Sequence, residues 1–308
     1  MPFTRDGEFV AMTGRVTAPK TPRGDVAAIR ETASAALEAL NAMMPRDPAI
    51  VTRDVRLPVQ GAEIGARWYT RSDEAPGSAL VYFHGGGMIT GSVDAHDGIV
   101  ALYPARTGVP VLSVDYRVAP EVTGTTLTDD GFAALCWFLE RAEDFGVDPD
   151  RVAVVGDSGG GGVAAGVAVA ARDHGVRIAR QILIYPMLDD RNTVPDPELE
   201  AFVRWDWDNN FTGWNALLGD ALGGDDVSPL AAPARLTDFR DLAPAFIDVG
   251  ELDIFRDESI RYALGLYGAG VSTELHVRAG VAHGFDLYQA TSVAQRAWAD
   301  RIRVIASL

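Results

Sequence analysis

The chain has very few lysines and cysteines. Of its 27 basic side chains only Lys20 is a lysine, whereas 43 side chains are acidic, so the formal net charge is −16. Phosphate backbones and anionic lipid surfaces repel a chain with this balance, which excludes nucleic acids and membrane surfaces as expected partners. The single cysteine, Cys136, cannot form an internal disulfide. Since it lies in an apolar stretch, we expect a core residue and no reactive thiol.

Long hydrophobic runs are also missing. Residues 1–24 contain no apolar run of signal-peptide length, and the most apolar stretch, 161–171, is too short to span a bilayer. We therefore predict a cytoplasmic protein. The sequence has no H-E-x-x-H motif and no close cluster of histidine and aspartate, so metal-dependent hydrolysis is not expected.

Short β-rich runs alternate with helix-length segments over most of the 308 residues. Residues 53–59 and 63–69 alternate like two strands joined by a tight turn. Further predicted strands are 79–83, 109–114, 152–155, 178–185, 245–249 and 273–277, and predicted helices include 126–144, 160–174, 256–268 and 290–306. This alternation predicts an α/β fold with a mostly parallel sheet, covered by helices and carrying an antiparallel edge.

Two segments do not follow this alternation. Residues 25–44 carry an apolar stripe at helical spacing that ends at Pro45, and residues 191–225 contain three of the six tryptophans. We interpret residues 1–45 and 191–225 as two pieces of a helical cap over the carboxyl edge of the sheet, where open α/β sheets bind ligands. The remaining chain, 46–308, is then one catalytic domain that contains the second cap piece as an insertion.

The strongest motif is the Gly-Asp-Ser-Gly-Gly sequence at 156–160. It matches G-x-S-x-G and lies between a β-rich run and a small-residue helix, the context in which a sharp turn exposes a nucleophilic serine. Residues 159–164 also fit the looser dinucleotide pattern G-x-G-x-x-A. That pattern normally follows the first strand of its unit and needs a later acidic residue, and neither condition is met here. Ser158 is therefore the candidate nucleophile.

A run of three glycines follows another predicted strand. The His-Gly-Gly-Gly sequence at 84–87 frees several backbone N–H groups to point at one spot, as acyl transfer requires for the developing oxyanion. This run is an oxyanion-hole motif in lipases and esterases.

A serine nucleophile needs a base and an acid that orients the base. Of the five histidines, His276 and His283 follow the serine at a suitable distance; His276 falls inside a predicted strand, whereas His283 lies in a loop just past a strand end. We therefore choose His283 as the base. Asp253, in the loop after the preceding strand, is the chosen acid, and Glu251 is the fallback.

Six motifs occur together in one order: HGGG at 84–87, DYRVAPE at 115–121, GDSGG at 156–160, YPMLD at 185–189, DIFRDE at 253–258 and HGF at 283–285. In this combination the chain resembles the hormone-sensitive-lipase-like α/β-hydrolases, the bacterial family IV carboxylesterases, from about residue 50 to the C-terminus. The resemblance implies an eight-stranded α/β-hydrolase core with a helical cap, no cofactor, hydrolysis of short to medium acyl esters, and frequent dimerisation through a sheet edge.

The resemblance also assigns roles to individual positions. It implies that Ser158 is the nucleophile, His283 the base and Asp253 its orienting acid, and that the N–H groups of Gly86, Gly87 and Gly159 form the oxyanion hole. Candidate substrate contacts are the aromatic residues of the second cap piece together with Met88: Trp205, Trp207, Phe211 and Trp214. His96 is expected to support the HGGG loop.

The sequence also departs from the family pattern. Met88 stands where an aromatic residue is usual, Gly159 where alanine is common and Gly162 where asparagine is frequent. DIFRD replaces the usual D-P-L-x-D, and residues 122–128 are not proline-rich. These departures affect the expected acyl pocket and alcohol preference and leave the triad intact. An amidase or acyltransferase with the same triad, and a non-catalytic small-molecule binder on this fold, are the alternative functions.

Overall fold

The computed structural model describes residues 3–14, 20–71 and 77–308. Eight strands form one sheet in the order β1-β2-β4-β3-β5-β6-β7-β8. The strands are β1 (Ile50–Val59), β2 (Ala62–Arg71), β3 (Ala79–Phe83), β4 (Val111–Asp115), β5 (Val152–Asp157), β6 (Arg180–Ile184), β7 (Ala245–Gly250) and β8 (Thr273–Arg278). β2 is antiparallel to both β1 and β4, and all other neighbours are parallel. The predicted α/β-hydrolase sheet with an antiparallel edge is confirmed.

The helices are α1 (Gly7–Thr13), α2 (Val26–Met43), α3 (Asp97–Thr107), α4 (Thr126–Leu139), α5 (Gly159–Asp173), α6 (Trp207–Leu218), α7 (Arg256–Gly268) and α8 (Ser292–Ile305). The central strands β3 and β7 are buried along their whole length, as expected for parallel strands covered on both faces. Edge strand β1 is mostly exposed. Among the described residues no helix is long and apolar enough to cross a membrane.

Helix α3 was not predicted from the sequence. Its residues from Gly98 to Pro104 are all buried, so no polar face alternates with an apolar one, and Pro104 inside the helix normally signals a break. Tertiary burial therefore decides the conformation of this segment.

The two predicted cap pieces contact each other. Thr21 bonds to Asn209, and the Gly24 N–H donates to Thr212 Oγ1 at 2.8 Å, which joins the start of α2 to α6. Within 191–225 the only α-helix is α6, and the rest consists of turns and one short 3₁₀ segment. Residues 1–2 and 15–19 of the first piece lie outside the described residues. The division into cap and catalytic domain stays a prediction.

Parallel order brings the sequence motifs to one edge of the sheet. The glycine run follows β3, Ser158 follows β5, Asp253 follows β7 and His283 lies beyond β8. Because the carboxyl ends of parallel strands meet at the same edge, four segments separated by up to two hundred residues converge there.

Candidate active site

Ser158 lies at the junction of β5 and α5, in a backbone conformation that residues other than glycine rarely adopt, with φ 56° and ψ −121°. Its N–H donates to the Ile184 carbonyl at 2.9 Å, and the residue is 7% exposed. A β-carbon on Gly156 or Gly160 would overlap backbone atoms, of Gly160 in the first case and of Phe83 and His84 in the second. The flanking glycines are therefore required by close backbone approach, as in a strand-turn-helix elbow.

The structure brings Ser158, His283 and Asp253 together in one hydrogen-bonded line. His283 Nε2 lies 2.9 Å from Ser158 Oγ, and His283 Nδ1 lies 2.7 Å from Asp253 Oδ2. The other carboxylate oxygen of Asp253 accepts the Phe255 N–H at 3.0 Å, which fixes the plane of this buried side chain. An imidazole held in this way can accept a proton from the serine while its other nitrogen donates to the carboxylate.

The competing candidates from the sequence have other partners. Glu251 accepts the Gly280 N–H at 2.9 Å. His276 lies in β8, with Nε2 2.7 Å from Glu274 Oε1. Of the two candidate acids, Asp253 and not Glu251 contacts His283. Of the two candidate bases, His283 and not His276 contacts Ser158.

The glycine run forms a tight loop beside Ser158, and we call residues 84–90 the glycine loop. Gly86, Gly87 and Met88 have φ values of 123°, 58° and 66°, three successive residues in the left-handed region. The Gly86 carbonyl accepts the N–H groups of Ile89 at 3.1 Å and Thr90 at 3.0 Å. A β-carbon on Gly159 would lie 3.0 Å from the Gly87 nitrogen, so the loop approaches the residue after the serine closely.

A stack of rings supports the start of this loop. The His84 ring lies between those of Tyr116, at 4.3 Å, and His96, at 5.2 Å between centroids. Burial and the neighbouring His96 lower the pKa of His84 to about 3, and burial also lowers the pKa of His96, so both imidazoles are neutral at pH 7. The position of His96 fits the supporting role expected from the sequence.

Other side chains around His283 were missed from the sequence. The rings of Tyr185 and Phe255 meet the imidazole edge-to-face at centroid distances of 4.6 and 5.2 Å. The Tyr185 hydroxyl donates to Asp286 at 2.8 Å, and Asp286 accepts from the buried Arg301 at 2.9 Å. Tyr185 belongs to the YPMLD motif and Phe255 to the DIFRDE motif, and these two motifs were the sequence signals for this layer.

The predicted substrate contacts divide into two groups. Met88 and Trp205 lie at the glycine loop: Met88 is part of it, and a β-carbon on Gly87 would overlap the Trp205 ring. The other three have different surroundings: Trp207 donates to Asn192, Phe211 stacks under the Arg23 guanidinium at 3.7 Å, and Trp214 is fully buried. All five contacts stay predictions.

Among the described residues, one group could bring three metal-ligand atoms together. Glu274, His276 and Asp300 offer atoms within 4.8 Å of one another on β8 and α8. Their carboxylates already pair with Arg278 and Arg303, so arginine neutralises the charge that a cation would otherwise attract.

Comparisons with known proteins agree on one family. A family model described as the alpha/beta hydrolase fold matches residues 80–287. Esterase LipI of Mycobacterium tuberculosis is 35% identical over 254 residues, which are 78% of this chain and 77% of that protein. Ethyl acetate hydrolase of Pseudomonas putida is 34% identical over 252 residues, 78% and 74% of the two chains. The solved structure of a bacterial heroin esterase is 36% identical, with a TM-score of 0.91 over 99% of this chain and 98% of that one.

Proposed function

Because the chain belongs to the α/β-hydrolase family, in its hormone-sensitive-lipase-like branch, and is a carboxylic ester hydrolase, we propose that it acts on small esters and that Ser158, His283 and Asp253 carry out the hydrolysis. The observation that carries the proposal is the His283 ring, which reaches Ser158 Oγ with one nitrogen and Asp253 with the other. Nucleophile, base and orienting acid are thus within direct hydrogen-bond distance.

In the first half-reaction Ser158 Oγ attacks the ester carbonyl carbon while His283 Nε2 accepts the hydroxyl proton. The negative charge that develops on the carbonyl oxygen is stabilised by the N–H groups of Gly86, Gly87 and Gly159. When the tetrahedral intermediate collapses, the bond to the leaving alcohol breaks and His283 returns the proton to that oxygen. The product is an acyl-enzyme ester on Ser158.

In the second half-reaction water attacks the acyl-enzyme, with His283 again accepting a proton. The intermediate then releases the carboxylic acid, and the serine hydroxyl is restored by the proton on His283. Asp253 keeps its charge throughout, because its part is to hold the imidazole and to stabilise its protonated form.

We expect short to medium acyl chains. Trp205 covers Gly87, and the Met88 side chain packs on Gly162, since a β-carbon on Gly162 would lie 2.8 Å from Met88 Cε. The ethyl acetate hydrolase among the relatives acts, by its name, on a two-carbon acyl group.

The cap division, a homodimer, a cytoplasmic location and a cofactor-free reaction stay predictions, and amide hydrolysis or acyl transfer by the same triad stays an alternative.

Replacing Ser158 with alanine tests the proposal. We expect Ser158→Ala to lower kcat for p-nitrophenyl butyrate by at least ~10⁴-fold, since the residual rate would come only from binding and the oxyanion hole. Labelling by a fluorophosphonate probe should disappear in the same variant, and circular dichroism should show that it is folded. Retained turnover or labelling would exclude Ser158 as the nucleophile.

A further inference from the structure

The glycine loop needs support from outside itself. Gly86, Gly87 and Met88 all occupy the left-handed region, and Met88 has no glycine-like freedom to do so. Such conformations persist only where the surrounding structure over-determines them. The direction in which the Gly86 and Gly87 N–H groups point therefore depends on the contacts that hold the neighbouring peptide planes.

The Gly87 N–H is fixed through the carbonyl of Gly86. Both groups belong to one planar trans peptide and point in opposite directions, so whatever holds the carbonyl also aims the N–H. That carbonyl accepts two hydrogen bonds, from the N–H of Ile89 at 3.1 Å and from the N–H of Thr90 at 3.0 Å.

Each of these two donors belongs to a peptide whose carbonyl is held from outside the loop. The Ile89 N–H shares its peptide with the Met88 carbonyl, which accepts the Ala119 N–H at 2.9 Å. The Thr90 N–H shares its peptide with the Ile89 carbonyl, which accepts Arg30 Nε at 2.7 Å. Two relays of peptide planes therefore lead from outside the loop to the Gly87 N–H.

Arg30, on α2, contacts the outer residue of each relay. It holds the Ile89 carbonyl of the second relay directly, and it donates to the carbonyl of Ala119, the residue whose N–H ends the first relay, at 2.9 Å. The same guanidinium donates two parallel bonds to the Glu121 carboxylate, at 2.7 and 2.6 Å. These bonds to Glu121 raise the pKa of Arg30, and the planar fork fixes the orientation of the guanidinium, which an ammonium group could not do.

We propose that Arg30 is a positioning residue for ester hydrolysis, which acts through Ile89, with Ala119 as a second contact, to aim the Gly87 N–H. The proposal rests on the proposed function, since it assumes that this N–H group binds the oxyanion. The proposal also gives the DYRVAPE motif a function, because two of its residues, Ala119 and Glu121, accept the hydrogen bonds that hold the Arg30 guanidinium.

A merely structural role for Arg30 would have different consequences. If Arg30 only attached α2 to the catalytic domain, replacing it would change kcat no more than replacing another residue that attaches this helix. Arg46 provides the comparison: it follows the end of α2, and its partners Asp97 and Asn41 both lie outside the glycine loop. Arg46→Ala is therefore the matched control.

The experiment compares Arg30→Ala, Arg30→Lys and Arg46→Ala by kcat and KM for p-nitrophenyl butyrate, with active sites counted by a fluorophosphonate. We expect Arg30→Ala to lower kcat ~10-fold or more, less than the ~10²–10³-fold cost of deleting an oxyanion donor itself. KM should stay within about threefold, because the weakened interaction, between the Gly87 N–H and the oxyanion, exists only in the transition state. Binding of a trifluoromethyl ketone, which forms a tetrahedral adduct, should weaken in parallel with kcat.

Arg30 and Glu121 line an open cavity of about 550 Å³, so water can occupy the space of the removed side chain and the alanine variant is expected to fold. Arg30→Lys should retain an intermediate kcat, since an ammonium keeps the charge but cannot replace the fork. The proposal is overturned if Arg30→Ala keeps kcat within about twofold, or if Arg46→Ala shows the same loss. If the alanine variant does not fold, a wild-type kcat in Arg30→Lys overturns it. Retained activity in Ser158→Ala would instead refute the underlying function.

Discussion

At the scale of single residues, three of the departures from the family pattern lie together in space. A β-carbon on Gly159 would lie 2.6 Å from the Met88 nitrogen, and one on Gly162 would lie 2.8 Å from Met88 Cε. Met88 in place of an aromatic residue and two glycines in place of larger residues thus share one small volume next to Ser158. These three positions form a single packing unit, although the sequence presents them as separate differences.

Of the aromatic residues predicted to contact the substrate, Trp205 lies against the glycine loop. Its indole N–H donates to Asn210 at 3.3 Å, and its ring covers Gly87. We expect Trp205→Ala to raise the ratio of kcat/KM for p-nitrophenyl octanoate over butyrate about tenfold, roughly what one methylene contributes to discrimination in an apolar pocket. Trp137→Leu, which changes a ring packed against Phe145, should leave that ratio unchanged. Equal ratios in wild type and Trp205→Ala would contradict this position for the indole.

At the scale of elements, Asn192 joins three of them. Its side-chain NH₂ group donates to the Ile254 carbonyl at 2.8 Å and to the Glu258 carboxylate at 3.0 Å. Its side-chain oxygen accepts the Trp207 indole N–H at 3.0 Å. The loop after β6 is thereby tied to the loop that carries Asp253, to α7 and to α6. The loop that carries Asp253, the proposed acid, is thus held by a side chain about sixty residues earlier in the chain.

Removing this connection should cost stability. We expect Asn192→Ala to lower the free energy of unfolding by about 2–3 kcal/mol, since three largely buried hydrogen bonds are lost at roughly 1 kcal/mol each. Asn215→Ala, an exposed change on α6, should stay within about 0.5 kcal/mol of wild type. Urea unfolding followed by tryptophan fluorescence measures both variants. A wild-type midpoint for Asn192→Ala would show that these bonds contribute nothing net.

At the scale of the whole molecule, buried titratable groups predict how stability depends on pH. His84 and His96 have lowered pKa values in the folded state, so unfolding takes up protons below about pH 6.5 and stability falls as pH falls. Glu258 behaves in the opposite way: burial raises its pKa to about 8, so unfolding releases a proton between about pH 4.5 and 8 and stability falls as pH rises. Because the two effects oppose each other, they predict that stability is greatest between the acidic and the alkaline ends of this range.

Urea unfolding at pH 5, 6.5 and 8 measures this dependence. We expect His96→Gln to reduce the loss of stability on the acid side, because each proton taken up contributes about 1.4 kcal/mol per pH unit. Glu258→Gln should reduce the loss on the alkaline side in the same way. Both substitutions change packing as well, so the slope with pH, and not the absolute free energy, is the quantity to compare. Unchanged slopes in both variants would contradict the assignment.

Much of the fold could be predicted because its signals are local. Strand β3 has the predicted bounds, and β5 and β7 extend the predicted runs by one or two residues, since continuous apolar runs between turns are typical of buried parallel strands. The fold class and the family resemblance are confirmed. Helix α3 was missed because it is buried on all sides, and so its sequence carries no amphipathic period.

The sequence by itself determined the elbow at Ser158 and the choice of Asp253 and His283 as candidates, because motif, strand and turn are adjacent in the chain and each limits the backbone locally. Only the tertiary structure decided that Arg30 reaches Ile89, that Asn192 holds the loop of Asp253 and that Trp205 covers Gly87. The physical reason is that these contacts join segments far apart in the chain. Their hydrogen bonds and packing depend on how α2, α6 and the loops of the sheet are placed against one another, and no local periodicity encodes that placement.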